Sequence, residues 1–535
     1  MRFKRLILAA LFLMTLHYAS AQAPYIFINP DDSDYTESCT SIVVGKGAST
    51  DGSVMTAHTC DSNYRTWLEI FGRKQFKVGE TEPVFWGRLH NEEPHDTRNV
   101  VEKGRIPAVE ETFAFLNTAY PCLNEKQLAI GETTIVGRKE LVNENGLFLI
   151  EELERIALQR CSTAKDAVLL IGKLAQEYGY GDSGECITIA DKKEVWQLEI
   201  FGSGAGKPSS IWVAQRIPDD HVGISANIPR ISKVDFNDPK NFLYSKNIKE
   251  RCKELGFWDG KEDFIFWKVN NGSKPFAIRD FYVLSTLAPS LNLQFDAQEL
   301  PFSVKPDKKV SVRDIIALYR QTYEGTEWDQ TKNLAVEITR RDRVKGEYKE
   351  VVKPVSNFMS NDMRALLNQI KPGVTERVRG IAVIQCSYSH IIQLRDWLPD
   401  EIGGVAYFSF DNPAQSPRIP IYSGTVSLPK SFEVCGQHRY REDAAIWAFR
   451  ETNRIATINW DRTRKLIEPQ VMRFEDMLFE MAPKIEKKAK DLIESGDIDL
   501  AKQLLTNHTH DFASMTIRRW QELKAELWNI FARSM

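Results

Sequence analysis

The sequence predicts an α+β fold: two β-sheets layered with helices in one large domain, then a helical C-terminal region. Three observations predict it. Runs of β-branched and aromatic residues bounded by turn residues recur at 41–58, 186–227 and 379–410. Two stretches of helical period, Leu147–Leu158 and Ala164–Tyr178, lie between the first two strand-rich runs. The last stretch, 437–535, is charged and helical by period nearly throughout.

Composition sets the outer limits. The chain has 535 residues, 42% apolar and 27% charged, an ordinary globular balance. A formal net charge of −3 leaves no footprint for nucleic acid or for an anionic membrane surface. Arg2, Lys4 and Arg5 precede the apolar run Leu6–Leu16, and Ala19-Ser20-Ala21 supplies small residues for cleavage, so 1–21 reads as a signal peptide. That run is too short for a good spanning helix. A secreted or periplasmic protein without stable membrane insertion is expected, with a retained signal anchor as the alternative. Residues 22–38, with two prolines and a cluster of acids, read as a pro-segment or linker. The main domain is then 39–436 and the helical region 437–535.

The elements follow in order. Ser41–Val44 and Val54–His58 form a hairpin around the turn dipeptide Asp51-Gly52. Trp67–Phe71 is a strand, and 86–106 is charged and loop-like. Asn124-Glu125-Lys126 turns the chain into a strand that ends on Glu132-Thr133-Thr134. Ser162-Thr163 caps the second helix and Gly179 stops it. Cys186–Ala190 and Val195–Ile200 make a second hairpin, followed by strands Trp212–Arg216 and Val222–Asn227. The middle, 235–330, carries one good helix, Val312–Tyr323, capped by Ser311. Arg379–Gln385, Ile391–Arg395 and Val405–Phe410 are expected in a second sheet. Pro469, Pro483 and Gly496 break the C-terminal helices, which pack outside the domain or form a homo-oligomer contact.

Eight cysteines at irregular spacing, with no CxxC pair, argue against zinc and for mostly buried free thiols. No P-loop or dinucleotide fingerprint occurs, and no cofactor or metal is expected. Gly181-Asp182-Ser183-Gly184-Glu185 reads as a turn, His508-Thr509-His510 as a helix-end surface feature, and Arg340-Arg341-Asp342-Arg343 as a solvated charge run.

One cysteine stands apart. Cys39 follows a disposable leader, opens a strand of a tight hairpin, and has small neighbours Ser38, Thr40 and Ser41. If it becomes the first residue, its own α-amine, with a pKa near ~8, can take the thiol proton and no separate histidine is needed. The hairpin brings Asp61 back beside it, where an ionised carboxylate could hold an amine. His58 lies on the same return strand and is a substrate-side or structural residue. Asn227 ends a strand, and its NH2 could donate to an oxyanion. Glu132 and Thr133 also end a strand in polar groups that could contact substrate.

The stretch from Cys39-Thr40-Ser41 through Gly45-Lys46-Gly47-Ala48-Ser49-Thr50-Asp51-Gly52-Ser53 to Ala57-His58-Thr59-Cys60-Asp61-Ser62 resembles the opening of the dipeptidase A family of cysteine peptidases. Secernins belong there too. These are N-terminal-nucleophile hydrolases similar to penicillin V acylase and bile salt hydrolase. The likeness continues through Ala129–Thr134, Gly179–Glu185, Val213–Arg216, Ser225-Ala226-Asn227, Gln393-Leu394-Arg395 and Glu401–Val405. It implies a four-layer αββα sandwich with Cys39 exposed by cleavage after Ser38. The family's acidic residue falls on Asp61, the relatives' oxyanion asparagine on Asn227, and their substrate-side polar pair near Glu132 and Thr133. His58 stands where acylase relatives carry arginine. The reading is an exported cysteine dipeptidase, its substrate ammonium on Glu132 or Asp61 and its carboxylate on Arg216 or Arg395. An acylase-type amidase and a non-catalytic secreted protein are the alternatives.

Overall fold

Asp51 makes the first turn: its carboxylate accepts the Ser53 N–H at 3.0 Å and the Ser53 hydroxyl at 2.6 Å. The strands that meet there are β1 (Ser38–Val44) and β2 (Val54–Asp61), with Cys39 opposite Cys60 and Ser38 opposite Asp61. The computed structural model describes residues 38–206, 208–270 and 276–532. The expected signal peptide and nearly all of the pro-segment lie outside them.

The chain continues through β3 (Glu69–Phe71) and a hairpin of β4 (Thr81–Trp86) and β5 (Val101–Pro107). Thus 86–106, read as loop, ends in a strand whose charged side chains face water. Then come β6 (Phe115–Asn117), β7 (Leu123–Asn124) and β8 (Ala129–Thr134). Two helices follow, Ile150–Arg160 and Ala164–Tyr178, the second capped by Thr163 Oγ1 on the Asp166 N–H and stopped at Gly179 with φ 87°. Next are β9 (Glu185–Ala190), β10 (Val195–Gly202), β11 (Ser210–Ile217), β12 (Val222–Ser225) and β13 (Phe242–Tyr244). The middle is more helical than expected: Ile248–Glu254, Phe266–Asn270 and Ile278–Leu287 precede β14 (Ser303–Val304) and the Ser311-capped helix Val312–Tyr319. The exposed arginine run lies on the hairpin β15 (Val336–Asp342) and β16 (Gly346–Val352). The helix Asn361–Ile370 leads to β17 (Cys386–Leu394), β18 (Gly404–Phe410) and β19 (Ile419–Tyr422).

Apart from the two-stranded hairpins β4–β5 and β15–β16, these strands form two large antiparallel sheets. Seven strands run in the order β14-β12-β1-β2-β17-β18-β19, and eight in the order β13-β11-β10-β9-β8-β7-β6-β3. β17 and β18 therefore join the first hairpin's own sheet rather than a second one, because β17 pairs with β2. Residues 379–385, expected as strand, are loop.

The sheets meet through β1, β2, β8 and β9. Gly131 on β8 leaves room for that meeting: a Cβ there would lie 3.3 Å from both His58 Cβ and Ser41 Oγ of the other sheet. Ala164–Tyr178 lies on β9, β10 and β11, while Ile278–Leu287, Val312–Tyr319 and Ala445–Thr457 contact the other sheet. With both faces covered, every residue of β1, β2, β17 and β18 is buried, which is why these strands lack a polar alternation.

The C-terminal helices Trp460–Glu494 and Ile498–Ala532 pack on each other, and the latter also on β19. Gly496 separates them, but Pro469 and Pro483 lie inside one continuous helix. Both prolines are exposed, so water can take the carbonyls they free. The opposite stripe, Ile467, Val471, Phe474, Leu478 and Ala482, is buried and holds the helix. His508 and His510 sit inside the last helix, not at its end. His508 packs on Tyr422 and Phe512, and His510 meets the Ser427 carbonyl at 3.1 Å. Among the described residues no helix is long and apolar enough to cross a membrane.

Candidate active site

The first residues of β1 are held on every side. The Cys39 N–H donates to Asn227 Oδ1 at 2.9 Å, and its carbonyl accepts from Arg279 at 2.5 Å. Its thiol lies 3.6 Å from Glu132 Oε2. The Thr40 N–H donates to Thr59 Oγ1, which donates on to Asp61 Oδ2 at 2.8 Å. The Tyr319 hydroxyl donates to the Thr40 carbonyl at 2.9 Å. Cys39, Asp61, Glu132 and His58 are fully buried. Burial, then Cys60 and Glu132, pushes the Cys39 thiol well above its ordinary range. With its amide still bonded to Ser38 it has no amine beside it to take the proton.

Asn227 follows β12 with φ 64°, a left-handed conformation that asparagine tolerates better than most residues. Its Oδ1 takes two donors, the Cys39 N–H and Arg279 at 2.8 Å, so the amide orientation is settled by its partners. The NH2 therefore points at the Thr134 carbonyl, 2.8 Å away, rather than to open space where an oxyanion would form.

Asp61 lies at the end of β2 across from Ser38. Arg379 donates to both, at 2.7 Å to Asp61 Oδ2 and 2.8 Å to Ser38 Oγ. His58 Nδ1 lies against the Glu132 backbone, 2.7 Å from its carbonyl and 3.2 Å from its N–H. Burial lowers its pKa to about 4, so it is neutral at pH 7. Beside Glu132 stands Glu185, driven well above the carboxylate range by burial and then by Glu132. Thr133 instead spans the sheets, its hydroxyl 2.5 Å from that of Ser225.

The structure does not bring Arg216 or Arg395 to this place. Arg216 on β11 is spent on Glu194 at 2.8 Å and Asp219 at 2.5 Å. Arg395 binds Glu486 through two nitrogens and the carbonyls of Ile402 and Gly403, tying the end of β17 to the long helix. Sequence reasoning missed the two arginines that are present. Arg279 is buried in the first turn of Ile278–Leu287, and burial with the nearby Arg379 lowers its pKa to about 10. The one sequence signal was the adjacent pair Arg279-Asp280 opening an apolar helix. Arg379 sits in a loop and carries no local signal. All eight cysteines are free and buried.

A thiol, a carboxyl pair and two guanidinium groups gathered at one buried strand end have the chemistry of a hydrolase that attacks a carbonyl through sulfur. The model of peptidase family C69 matches residues 38–472, and the chain belongs to that family. A probable dipeptidase of Latilactobacillus sakei is 27% identical over 419 residues, covering 74% of this chain and 76% of that one. A probable dipeptidase B of Streptococcus pyogenes serotype M1 is 24% identical over 91% of this chain and 92% of its own. Dipeptidase A of Lactobacillus helveticus is 22% identical over 79% of this chain and 82% of its own.

Proposed function

We propose that this protein is an exported cysteine dipeptidase on a four-layer αββα N-terminal-nucleophile fold, activated by cleavage of the Ser38–Cys39 bond. The observation that carries the reading is the seat built around Cys39: its nitrogen on Asn227 Oδ1, its carbonyl on Arg279 and its sulfur beside Glu132. Once the bond is cut, the nitrogen on Asn227 is a free amine. It takes the thiol proton, and the thiolate attacks the scissile carbonyl carbon. The collapsing tetrahedral intermediate expels the leaving amine, which receives that proton. Water then releases the acyl group from sulfur. Asn227 serves the oxyanion only if its NH2 leaves the Thr134 carbonyl; its acceptor role toward the Cys39 nitrogen requires no movement.

Substrate recognition needs opposite charges at the two ends of a dipeptide. Glu132 with Glu185 offers a carboxylate for the ammonium. Arg379, whose side chain is 23% exposed and loses its Ser38 partner on cleavage, takes the carboxylate in place of Arg216 and Arg395. The test is the N-terminal sequence and intact mass of the exported protein. A start at Cys39 together with dipeptide hydrolysis supports the reading. An active enzyme with Cys39 internal overturns it.

A further inference from the structure

Three metal-binding atoms of different chemistry meet at the head of β1. Cys39 Sγ, a ring nitrogen of His58 and a carboxylate oxygen of Glu132 all lie within 4.8 Å of one another, and all three residues are fully buried. They come from β1, β2 and β8, so both sheets build the site. The 3.6 Å from Cys39 Sγ to Glu132 Oε2 matches the edge of a tetrahedral zinc site, which bonds of ~2.3 Å to sulfur and ~2.1 Å to oxygen set at about 3.6 Å. The His58 ring is oriented by the Glu132 backbone, whose carbonyl and N–H both contact its Nδ1, the kind of outer contact that fixes ligating imidazoles. Its Nε2 has no hydrogen-bond partner among the described residues.

We propose that the processed enzyme binds a zinc ion on its own nucleophile and is held inactive by it. This rests on Cys39 becoming the N-terminus. There the freed α-amine supplies a further donor and closes a five-membered chelate ring with Sγ. The amide nitrogen of the uncut Ser38–Cys39 bond cannot do so, because its lone pair is delocalised into the carbonyl. The complete set is one sulfur, two nitrogens and one oxygen, a closed tetrahedral combination that suits zinc rather than magnesium or calcium. Thiolate and carboxylate together offset the dication's charge in a buried place. Binding sends to solvent the one proton that the thiol and the amine share. It also ties up both the nucleophile and its base, so turnover stops while the ion is bound.

The test uses purified enzyme, kept reduced without a thiol reductant, whose N-terminus has first been read as Cys39. Titration with cobalt(II) should reach one equivalent and give sulfur-to-cobalt charge-transfer absorption in the near ultraviolet. Zinc should displace the cobalt. Dipeptide turnover should fall in step with zinc occupancy and return on adding a chelator. Glu132→Gln and His58→Gln should each weaken cobalt binding at least about ten-fold. A zinc-dependent rise in the melting temperature of the unmutated enzyme gives a readout that does not depend on either variant folding. The inference is overturned if enzyme beginning at Cys39 keeps full turnover in excess zinc, shows no charge-transfer band, or loses no affinity in both variants. A chain with Cys39 internal sinks the N-terminal reading as well, and sequencing reveals that before any metal is added.

Discussion

Asn227 and Cys39 are joined by a 2.9 Å hydrogen bond from the Cys39 nitrogen to the Asn227 side-chain oxygen, across 188 residues of chain. Arg279 shares that oxygen at 2.8 Å and also holds the Cys39 carbonyl. The nitrogen that acts as base in the proposed mechanism is thus positioned while it is still an amide.

The pairing makes Asn227→Gly informative. At φ 64° glycine is free of backbone strain, so the fold should survive. The amine would lose its acceptor and the oxyanion its candidate donor. Turnover should drop on the order of 10²–10³-fold, with the melting temperature within a few degrees of the parent. Retention of more than about a tenth of the parent rate would show that the side chain does not orient the reaction.

Arg279→Lys separates charge from shape. Arg279 donates to the Cys39 carbonyl, Thr40 Oγ1, the Ala226 carbonyl and Asn227 Oδ1. A lysine keeps the charge but cannot span these acceptors, and leaves buried oxygens unpaired. Unfolding in urea should show a loss of about 2–4 kcal/mol, and N-terminal sequencing should show slower appearance of the Cys39 end. A stability change below about 0.5 kcal/mol would mean that the acceptors find other donors.

The parts of this site that were legible in the sequence are those fixed by neighbours in the chain. The Asp51-Gly52 turn sets the β1–β2 register, and that register alone places Asp61 opposite Ser38 and His58 two pairs from Cys60. The Thr163 cap and the Gly179 stop of the second helix are equally local. Arg279 and Arg379 reach Cys39 and Asp61 from more than two hundred residues away, and no periodicity carries that information. The C-terminal prolines misled for a related reason. A local rule says that proline ends a helix, but a buried stripe on the far side outweighs two carbonyls that water can satisfy. Arg395 looked available only because its partner Glu486 comes from a distant helix, and Arg216 is taken up by Glu194 in the turn before β10 and by Asp219 in the turn after β11.

His58 gives a pH dependence whose sign follows from its burial. Its folded pKa is about 4 against an ordinary 6.5, so between those values the unfolded chain takes up a proton that the folded chain refuses. Stability is full above pH 6.5 and is lost as pH falls toward 4, by about 3 kcal/mol from this group. The ring faces His390, 5.4 Å away, which burial also holds well below its ordinary value and which adds in the same direction. Buried Glu151, Glu154 and Glu185 are raised and contribute with the opposite sign, so the parent profile alone does not isolate the effect. Urea unfolding of the parent and of His58→Gln at pH 7.5 and pH 5 does. The variant should lose less stability on acidification, and equal losses in both proteins would place the acid sensitivity elsewhere.

The dipeptidase reading turns on whether both substrate charges are read. Glu132 places a carboxyl oxygen 3.6 Å from the Cys39 thiol, with the buried Glu185 held protonated beside it, and Arg379 presents positive charge beside Asp61. An enzyme that uses the first should cut an N-acetylated dipeptide far more slowly than the free one. An acylase-type amidase would not distinguish them, so equal rates would favour that reading. For the second, Arg379→Met should raise KM for free dipeptides by about ten-fold or more, the loss expected when a charge-assisted hydrogen bond is removed. A C-terminal dipeptide amide should bind the parent and the variant equally poorly. Because Arg379 also bonds Asp61, the variant could lower kcat as well, but that loss would fall on both substrates alike. A KM penalty confined to the free carboxylate is therefore the signature of recognition. A uniform fall in kcat would assign Arg379 to holding Asp61 and leave the carboxylate to another group.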